Sequence, residues 1–165
     1  MHSSDECYLS EVYSAIQGEG PLVGVRQIFV RFAGCDLRCR WCDTPESLTK
    51  NDFCNVEVSP GKRKFTRVKN PISSAALINY INMLNPQNHH SLSLTGGEPL
   101  LQAKYMITFL SEIKNQIDLP IFLETGGHRA DELYSVINLI DYISMDFKLH
   151  TSSATGDLWN RHIDF

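Results

Sequence analysis

From residue 73 onward the apolar positions repeat one pattern. "SSAALINYINML" sets Leu77, Ile81 and Leu84 on one helical face, then gives way to "SLSLT", a short strand running into "GGEPL". "YMITFLSEIKNQI" aligns Met106, Leu110, Ile113 and Ile117 at helical spacing, and the strand-like "IFLE" behind it breaks at "TGG". The next round places Leu133, Val136, Ile137 and Ile140 on one face ahead of "YISMDFK". Helices alternating with short buried strands predict an α/β fold, a mainly parallel sheet with helices packed on it, in which chemistry collects at the carboxyl ends of the strands. Those ends are polar or glycine-rich: "TGGEP" at 95–99, "ETGGH" at 124–128, "DFK" at 146–148, and "AGC" at 33–35 after the strand-like "RQIFVRF". They are expected to face one cavity.

Between these regions "CNVEVSPGKRKFTRV" carries two alternating runs around "SPGK". It predicts a hairpin bearing Lys62, Arg63, Lys64 and Arg67, whose basic face reads as a solvated edge more readily than as a docking site. At 165 residues and 42% apolar content the chain is sized for one domain. Fifteen Lys and Arg against nineteen Asp and Glu give a net charge of −4, which argues against a surface for nucleic acid or anionic lipid and favours a small-molecule partner. The start is polar, and no apolar run approaches the roughly 20 residues of a membrane helix. A cytoplasmic protein is expected. In a reducing compartment the five cysteines read as metal binding before disulfides, with Cys7 and Cys54 as ordinary unpaired thiols.

"GCDLRCRWCDT" concentrates the chemistry. Cys35, Cys39 and Cys42 share one loop and can converge on one inorganic object, either zinc or an iron-sulfur cluster. Structural zinc wants a fourth ligand, for which His89, His90 and Cys54 are candidates, though none sits at the usual short spacing. A cubane held by three cysteines leaves one iron open, which is useful only if something else binds there.

The C-x3-C-x2-C spacing, with the aromatic Trp41 before the last cysteine, resembles the signature of the radical S-adenosylmethionine enzymes. That resemblance implies a 4Fe-4S cluster whose open iron chelates S-adenosylmethionine, and cleavage of that cofactor to a 5′-deoxyadenosyl radical. "TGGEP" resembles the superfamily's GGE element, with Gly96, Gly97 and Glu98 near the methionine ammonium. Taken alone, it is also a tight strand-to-helix turn opened by Pro99.

The longer segment "SAIQGEGPLVGVRQIFVRFAGCDLRCRWCDT" resembles the 7-carboxy-7-deazaguanine synthase family, and the likeness runs in pieces from about Glu11 to Ser153. It implies ring contraction of 6-carboxy-5,6,7,8-tetrahydropterin with loss of ammonia, on the route to queuosine and related 7-deazapurines. It implies pterin contacts from Ile16, Gln17, Gly18, Glu19 and Thr95, and Arg31 on a substrate carboxylate. Thr44 would bind Mg2+, and Trp41, Glu124, Asp146, Phe147 and Lys148 would join the GGE turn around the cofactor. On their own residues, Arg31 is equally a strand-edge ion pair, Gln17 and Glu19 a polar turn, Glu124 a cap, and Thr44 the residue before Pro45.

The fold implied is a partial, incomplete TIM-like barrel of mainly parallel strands. It would form a single radical S-adenosylmethionine core domain over 1–165, with a hairpin-like insertion near 51–70. The family's members run on past "GDLWNRHIDF", so either a member shortened at the C-terminus or a fragment is expected. Also implied are a flavodoxin or ferredoxin as electron donor and a homodimer. The other readings of the cysteine loop are a glycyl-radical enzyme activating protein, another radical enzyme acting on a nucleobase-like substrate, and a non-catalytic zinc or iron-sulfur module.

Overall fold

The computed structural model describes residues 5–151, 154 and 156–165; Ser153, where the family likeness ends, lies outside them. The chain forms β1 (Glu6–Cys7), β2 (Leu9–Ile16), β3 (Arg26–Phe32), β4 (Phe53–Ser59), β5 (Lys64–Lys69), β6 (Ile72–Ser73), α1 (Ser74–Met83), β7 (Ser91–Gly96), α2 (Ala103–Lys114), β8 (Ile121–Thr125), α3 (Ala130–Val136), β9 (Tyr142–Met145) and α4 (Trp159–Asp164). Seven strands make one sheet in the order β5-β4-β2-β3-β7-β8-β9, while β1 and β6 pair as a separate antiparallel ribbon. The β2–β4, β3–β7, β7–β8 and β8–β9 pairings are parallel, and β2–β3 and β4–β5 are antiparallel. The mainly parallel α/β sheet expected from the sequence is found. It is open among the described residues, because its edge strands β5 and β9 do not pair with each other.

The first two periodic rounds form helices where the apolar spacing puts them. Leu77, Ile81 and Leu84 are fully buried, and Ser73 caps α1 by accepting a hydrogen bond from the Ala76 N–H at 3.3 Å. Met106, Leu110 and Ile113 bury the inner face of α2, and Ile117 packs at the core margin beyond its end. The third round is shorter than its periodicity suggests. Helix α3 ends at Val136 and tightens into a 3-10 turn over Ile137–Leu139, leaving Ile137 37% exposed. Adjacent β-branched Val136 and Ile137 are weak helix formers, and the chain must turn promptly into β9.

No strand is predicted ahead of Arg26, yet β2 lies mid-sheet between β4 and β3. Its buried positions include Ser10 and Ser14, which break the apolar alternation. Ser14 is satisfied internally: its N–H donates to Glu57 Oε2 at 2.8 Å and its hydroxyl bonds His89 Nε2 at 2.8 Å. The predicted hairpin is present as β4 and β5. Glu57, 1% exposed, fastens its turn by accepting from the Arg63 N–H at 2.7 Å.

Successive strand residues point to opposite faces. Val12, Ile28, Val30, Phe32, Leu92, Leu94, Ile121 and Leu123 join α1, α2 and α3 in one core. Tyr13, Ala15, Gln27, Phe29, Arg31, Ser91, Ser93, Thr95 and Glu124 occupy the alternate positions and so turn to the other face. Cys7 and Cys54 are buried, free thiols, both pushed up to about 12 by burial, as expected of ordinary core residues. No helix among the described residues is long and apolar enough to cross a membrane.

Candidate active site

A cavity of about 540 Å³ lies against the helix-free face, where β3, β7, β8 and β9 run out. It is lined by Ile16, Gln17, Gly18, Glu19, Arg31, Cys35, Cys39, Trp41, Cys42, Thr44, Thr95, Gly96, Gly97, Glu98, Glu124, Asp146 and Lys148. Every residue that the family likeness assigns to the site therefore reaches this one space except Phe147.

The cysteine loop follows β3 and is laced on two sides. The Gly34 N–H donates to Ser47 O at 2.8 Å and the Cys35 N–H to Leu48 O at 3.2 Å, folding the loop on its return segment. From the turn after β7, the Gly97 N–H donates to Phe32 O at 3.0 Å and the Glu98 N–H to Gly34 O at 2.9 Å. Cys35, Cys39 and Cys42 are partly exposed, free thiols on the cavity wall. Among the described residues no group of three His, Cys, Asp or Glu is drawn close enough to hold a metal ion. The thiols share a wall without converging on a point. Burial raises Cys35 and Cys39 above the usual thiol range, so metal or cluster binding must release their protons. The candidate fourth zinc ligands are elsewhere: Cys54 is in the core, while His89 bonds Ser14 and the Asn85 carbonyl ahead of β7, at the opposite end from the loop.

Gly96 and Gly97 serve backbone-to-backbone packing. Gly96 has φ +124, and a Cβ there would strike the Phe32 backbone; one on Gly97 would strike the Gly34 and Ser47 carbonyls. This close approach joins the turn after β7 to the cysteine loop. Gly97→Ala is expected to destabilise the fold by about 2–4 kcal/mol, since rigid carbonyls cannot step aside as a flexible side chain would. Urea denaturation measures it, and an unchanged midpoint would contradict the packing account.

Glu98 is 1% exposed and joins two strand ends. Its Oε1 accepts from the Leu100 N–H at 3.1 Å and Thr125 Oγ1 at 2.8 Å, and its Oε2 from the Gly126 N–H at 2.9 Å. Glu98 thus caps the 3-10 turn that follows β7. Of the roughly four lone-pair positions a carboxylate offers, three are taken and one remains. Burial raises the Glu98 pKa against the pull of these donors.

Glu124 groups with the residues ascribed to substrate. Its Oε1 accepts from Gln17 Nε2 at 2.7 Å and its Oε2 from Thr95 Oγ1 at 2.6 Å. Gln17 in turn accepts from the Glu19 N–H at 3.1 Å. Arg31 donates to Tyr13 Oη at 2.7 Å and keeps its Nε 3.5 Å from Glu11 Oε2, so the ion pair anticipated as its alternative role is present. The Tyr13 ring stacks on Phe29 at 5.2 Å, which gives the cavity a flat aromatic wall. Thr44 precedes a 3-10 turn over Pro45–Ser47 that its hydroxyl does not cap. Asp146 and Lys148 form an ion pair, with the Lys148 ammonium 5.9 Å from the Trp41 ring centre. Phe147, 56% exposed, points away and packs on Trp159 and His162.

The sequence gives no role to Tyr13 or Phe29, nor to a charged clasp beside the loop. His128 Nε2 lies 3.0 Å from Asp36 Oδ1, and Arg129 donates to Asp36 Oδ2 at 2.8 Å, tying the end of β8 to the residue after Cys35. The "ETGGH" cluster was the available signal. Burial works to raise the Asp36 carboxyl, but His128 and Arg129 outweigh it and hold it below the usual range. A depressed carboxylate stabilises the fold above its unfolded pKa, and that contribution disappears as pH falls through its folded value. Asp36→Asn is expected to cost on the order of 1 kcal/mol at neutral pH after solvent screening. Denaturation at stepped pH should show the difference from the parent closing in acid; a constant difference would contradict it.

The sequence matches the 4Fe-4S single cluster domain family over residues 16–160. It is 43% identical over 160 residues to a 7-carboxy-7-deazaguanine synthase of Geobacter sulfurreducens, covering 95% of this chain and 63% of that protein. It is 38% identical over 156 residues to the synthase of Thermococcus kodakarensis, covering 90% and 61%, and 40% identical over 167 residues to that of Methanothermobacter thermautotrophicus, covering 93% and 60%. The chain thus spans just over three fifths of the length of the first two and 60% of the third. The crystal structure of QueE from Escherichia coli superposes with a TM-score of 0.53 at 25% identity, covering 74% of this chain and 54% of that one.

Proposed function

The chain belongs to the 4Fe-4S single cluster domain family, and from that premise we propose that it is a radical S-adenosylmethionine lyase, a 7-carboxy-7-deazaguanine synthase. Its reaction would contract 6-carboxy-5,6,7,8-tetrahydropterin to 7-carboxy-7-deazaguanine with loss of ammonia, in queuosine and 7-deazapurine biosynthesis. One observation carries the reading: the three loop cysteines, the GGE turn and the "IQGE" segment line a single cavity, in a chain similar to synthases of that name.

The residues present suit the groups implied. Cys35, Cys39 and Cys42 are free, partly exposed and adjacent in one cavity, which fits a cluster open at one iron. When bound, the cluster and S-adenosylmethionine supply the radical that abstracts hydrogen, and the protein supplies placement and a shielded cavity. Glu98, fixed by three donors, presents its remaining lone pair to the cofactor's ammonium, with Gly96, Gly97, Trp41, Asp146 and Lys148 beside it. Phe147 supports that stretch from behind through its contacts with α4.

On the substrate side stand Ile16, Gln17, Gly18, Glu19, Arg31 and Thr95. Its hydrogen bonds to Gln17 and Thr95 support a place for Glu124 in this group, beside the cofactor role the likeness implies. Arg31 grips the pterin carboxylate, its guanidinium suited to two parallel hydrogen bonds. Thr44 offers Mg2+ a hard oxygen, the donor type this ion prefers. The reading extends to a single core domain curled as a partial TIM-like barrel with the β4–β5 hairpin inserted, a flavodoxin or ferredoxin as electron donor, a homodimer and a cytoplasmic location.

The direct test incubates anaerobically reconstituted protein with a strong reductant, S-adenosylmethionine, Mg2+ and the carboxytetrahydropterin. Deazaguanine product and ammonia are expected, and neither appearing with a fully loaded cluster would defeat the assignment. Arg31→Ala should weaken pterin binding by about 10–100-fold, the loss of a charge-assisted bidentate contact, and leave the cluster spectrum unchanged. Equal substrate affinity in that variant would remove Arg31 from the site.

A further inference from the structure

Behind Gln17 lies a residue with no role in the account so far. Gln27 is 0% exposed. Its Oε1 accepts from Gln17 Nε2 at 2.9 Å, and its Nε2 donates to Ser91 Oγ at 2.8 Å. Gln27 does not line the cavity, whereas Gln17 and Glu124 do.

We propose that Gln27 is a positioning residue that sets ring specificity: by fixing the orientation of the Gln17 carboxamide, it keeps Glu124 an acceptor for the N–H groups of a 2-amino-pyrimidinone ring. This rests on the pterin reading above.

A carboxamide can be turned half a revolution, exchanging its oxygen and its NH2, and only its neighbours choose between the two. In Gln17 the NH2 faces two acceptors, Glu124 Oε1 at 2.7 Å and Gln27 Oε1 at 2.9 Å, while the oxygen accepts from the Glu19 N–H at 3.1 Å. Turned over, Gln17 would set its oxygen against the Glu124 carboxylate and the Gln27 oxygen, and its NH2 against the Glu19 N–H. Every contact would be like against like. With Gln27 in place both Gln17 hydrogens have partners, so the carboxamide is pinned at two points. Without it, the bond to Glu124 and the one from the Glu19 N–H hold the group, and a buried N–H is left unpaired.

The orientation matters because of what it does to Glu124. The Gln17 N–H and the Thr95 hydroxyl both donate to this side chain and hold it in place as an acceptor; a carbonyl oxygen in the place of that N–H would push the carboxylate away. Thr95 takes one position on Glu124 Oε2, and the other is open to a ligand. Held as an acceptor, Glu124 pairs with the exocyclic amino group of a pterin and is mismatched to the carbonyl of its 2-oxo analogue. A site built on such pairing rejects the mismatched ring through its own unsatisfied groups.

The test uses the full chain, anaerobically reconstituted with cluster, S-adenosylmethionine and Mg2+, titrated separately with 6-carboxypterin and with 6-carboxylumazine, its 2-oxo analogue. The parent is expected to favour the pterin by about tenfold or more. Gln27→Leu, close in volume but without polar atoms, should bring that ratio to within about twofold of unity. Gln27→Glu should keep the preference, because an acceptor still faces Gln17 whichever way the new side chain turns. A purely structural role predicts the reverse order, since the buried carboxylate would be the more damaging change. Should Gln27→Leu fail to fold, Ser91→Ala, which unanchors Gln27 and also releases His90 Nδ1, should reduce the ratio by about threefold. A pterin preference in the parent that survives both Gln27→Leu and Ser91→Ala, or is lost equally in Gln27→Glu, overturns the role of Gln27 and leaves the pterin reading intact. A parent that binds neither ring overturns the pterin reading, and the inference with it.

Discussion

Cys39→Ala is expected to retain no cluster and form no product, a loss of activity of about a hundredfold or more, since replacing even outer partners of a metal site can cost that much. Three thiols are the whole protein ligand set of the proposed cluster, so losing one leaves two irons without protein ligands. The fold should survive. Cys39 is a partly exposed loop thiol outside the hydrophobic core, and its removal creates no buried cavity. Iron and sulfide analysis after anaerobic reconstitution, with a denaturation curve in parallel, separates cluster loss from unfolding. Full turnover in this variant would contradict the ligand assignment.

Glu98→Ala carries the largest expected effect on stability. The buried carboxylate satisfies the Leu100 N–H, the Thr125 hydroxyl and the Gly126 N–H, and all three donors would be orphaned together. A loss of about 3–5 kcal/mol is expected for such a set, less than the sum of three separate penalties because the backbone can relax. Glu98→Gln should be nearly as damaging. Both oxygens of Glu98 accept, so an amide must aim its own NH2 at a donor on one side or the other. Urea denaturation of both variants measures this; a glutamine variant as stable as the parent would show that only one oxygen matters.

Much of the fold was legible because the helix-to-strand rounds follow simple apolar periodicity, and their buried residues are the ones that spacing picked out. β2 was hidden for a physical reason. Ser10 and Ser14 are buried, with Ser14 satisfied by Glu57 and His89 from distant parts of the chain. No local pattern announces such pairings. Helix α3 was overextended because Ile137 has the right spacing and the wrong surroundings.

The site was legible at its strand ends and its cysteine loop, where residue type and spacing limit the chemistry. The aromatic wall and the residues behind it were not. Tyr13, Phe29, Gln27 and Ser93 reach the same face only because β2, β3 and β7 are neighbours, and that adjacency is a tertiary fact. The hydrogen bonds of Glu124 to Gln17 and Thr95 were equally out of reach of the sequence. The glycines after β7 pack against the backbone of β3 and the cysteine loop, a contact that no local spacing discloses.

The central claim is a cluster held by Cys35, Cys39 and Cys42 whose fourth iron is open to S-adenosylmethionine. Electron paramagnetic resonance of the dithionite-reduced, anaerobically reconstituted chain, recorded before and after adding S-adenosylmethionine, tests it most directly. A cluster signal that shifts when the cofactor is added is the predicted result. A spectrum unmoved by saturating cofactor, or stoichiometric zinc in place of iron, would contradict it.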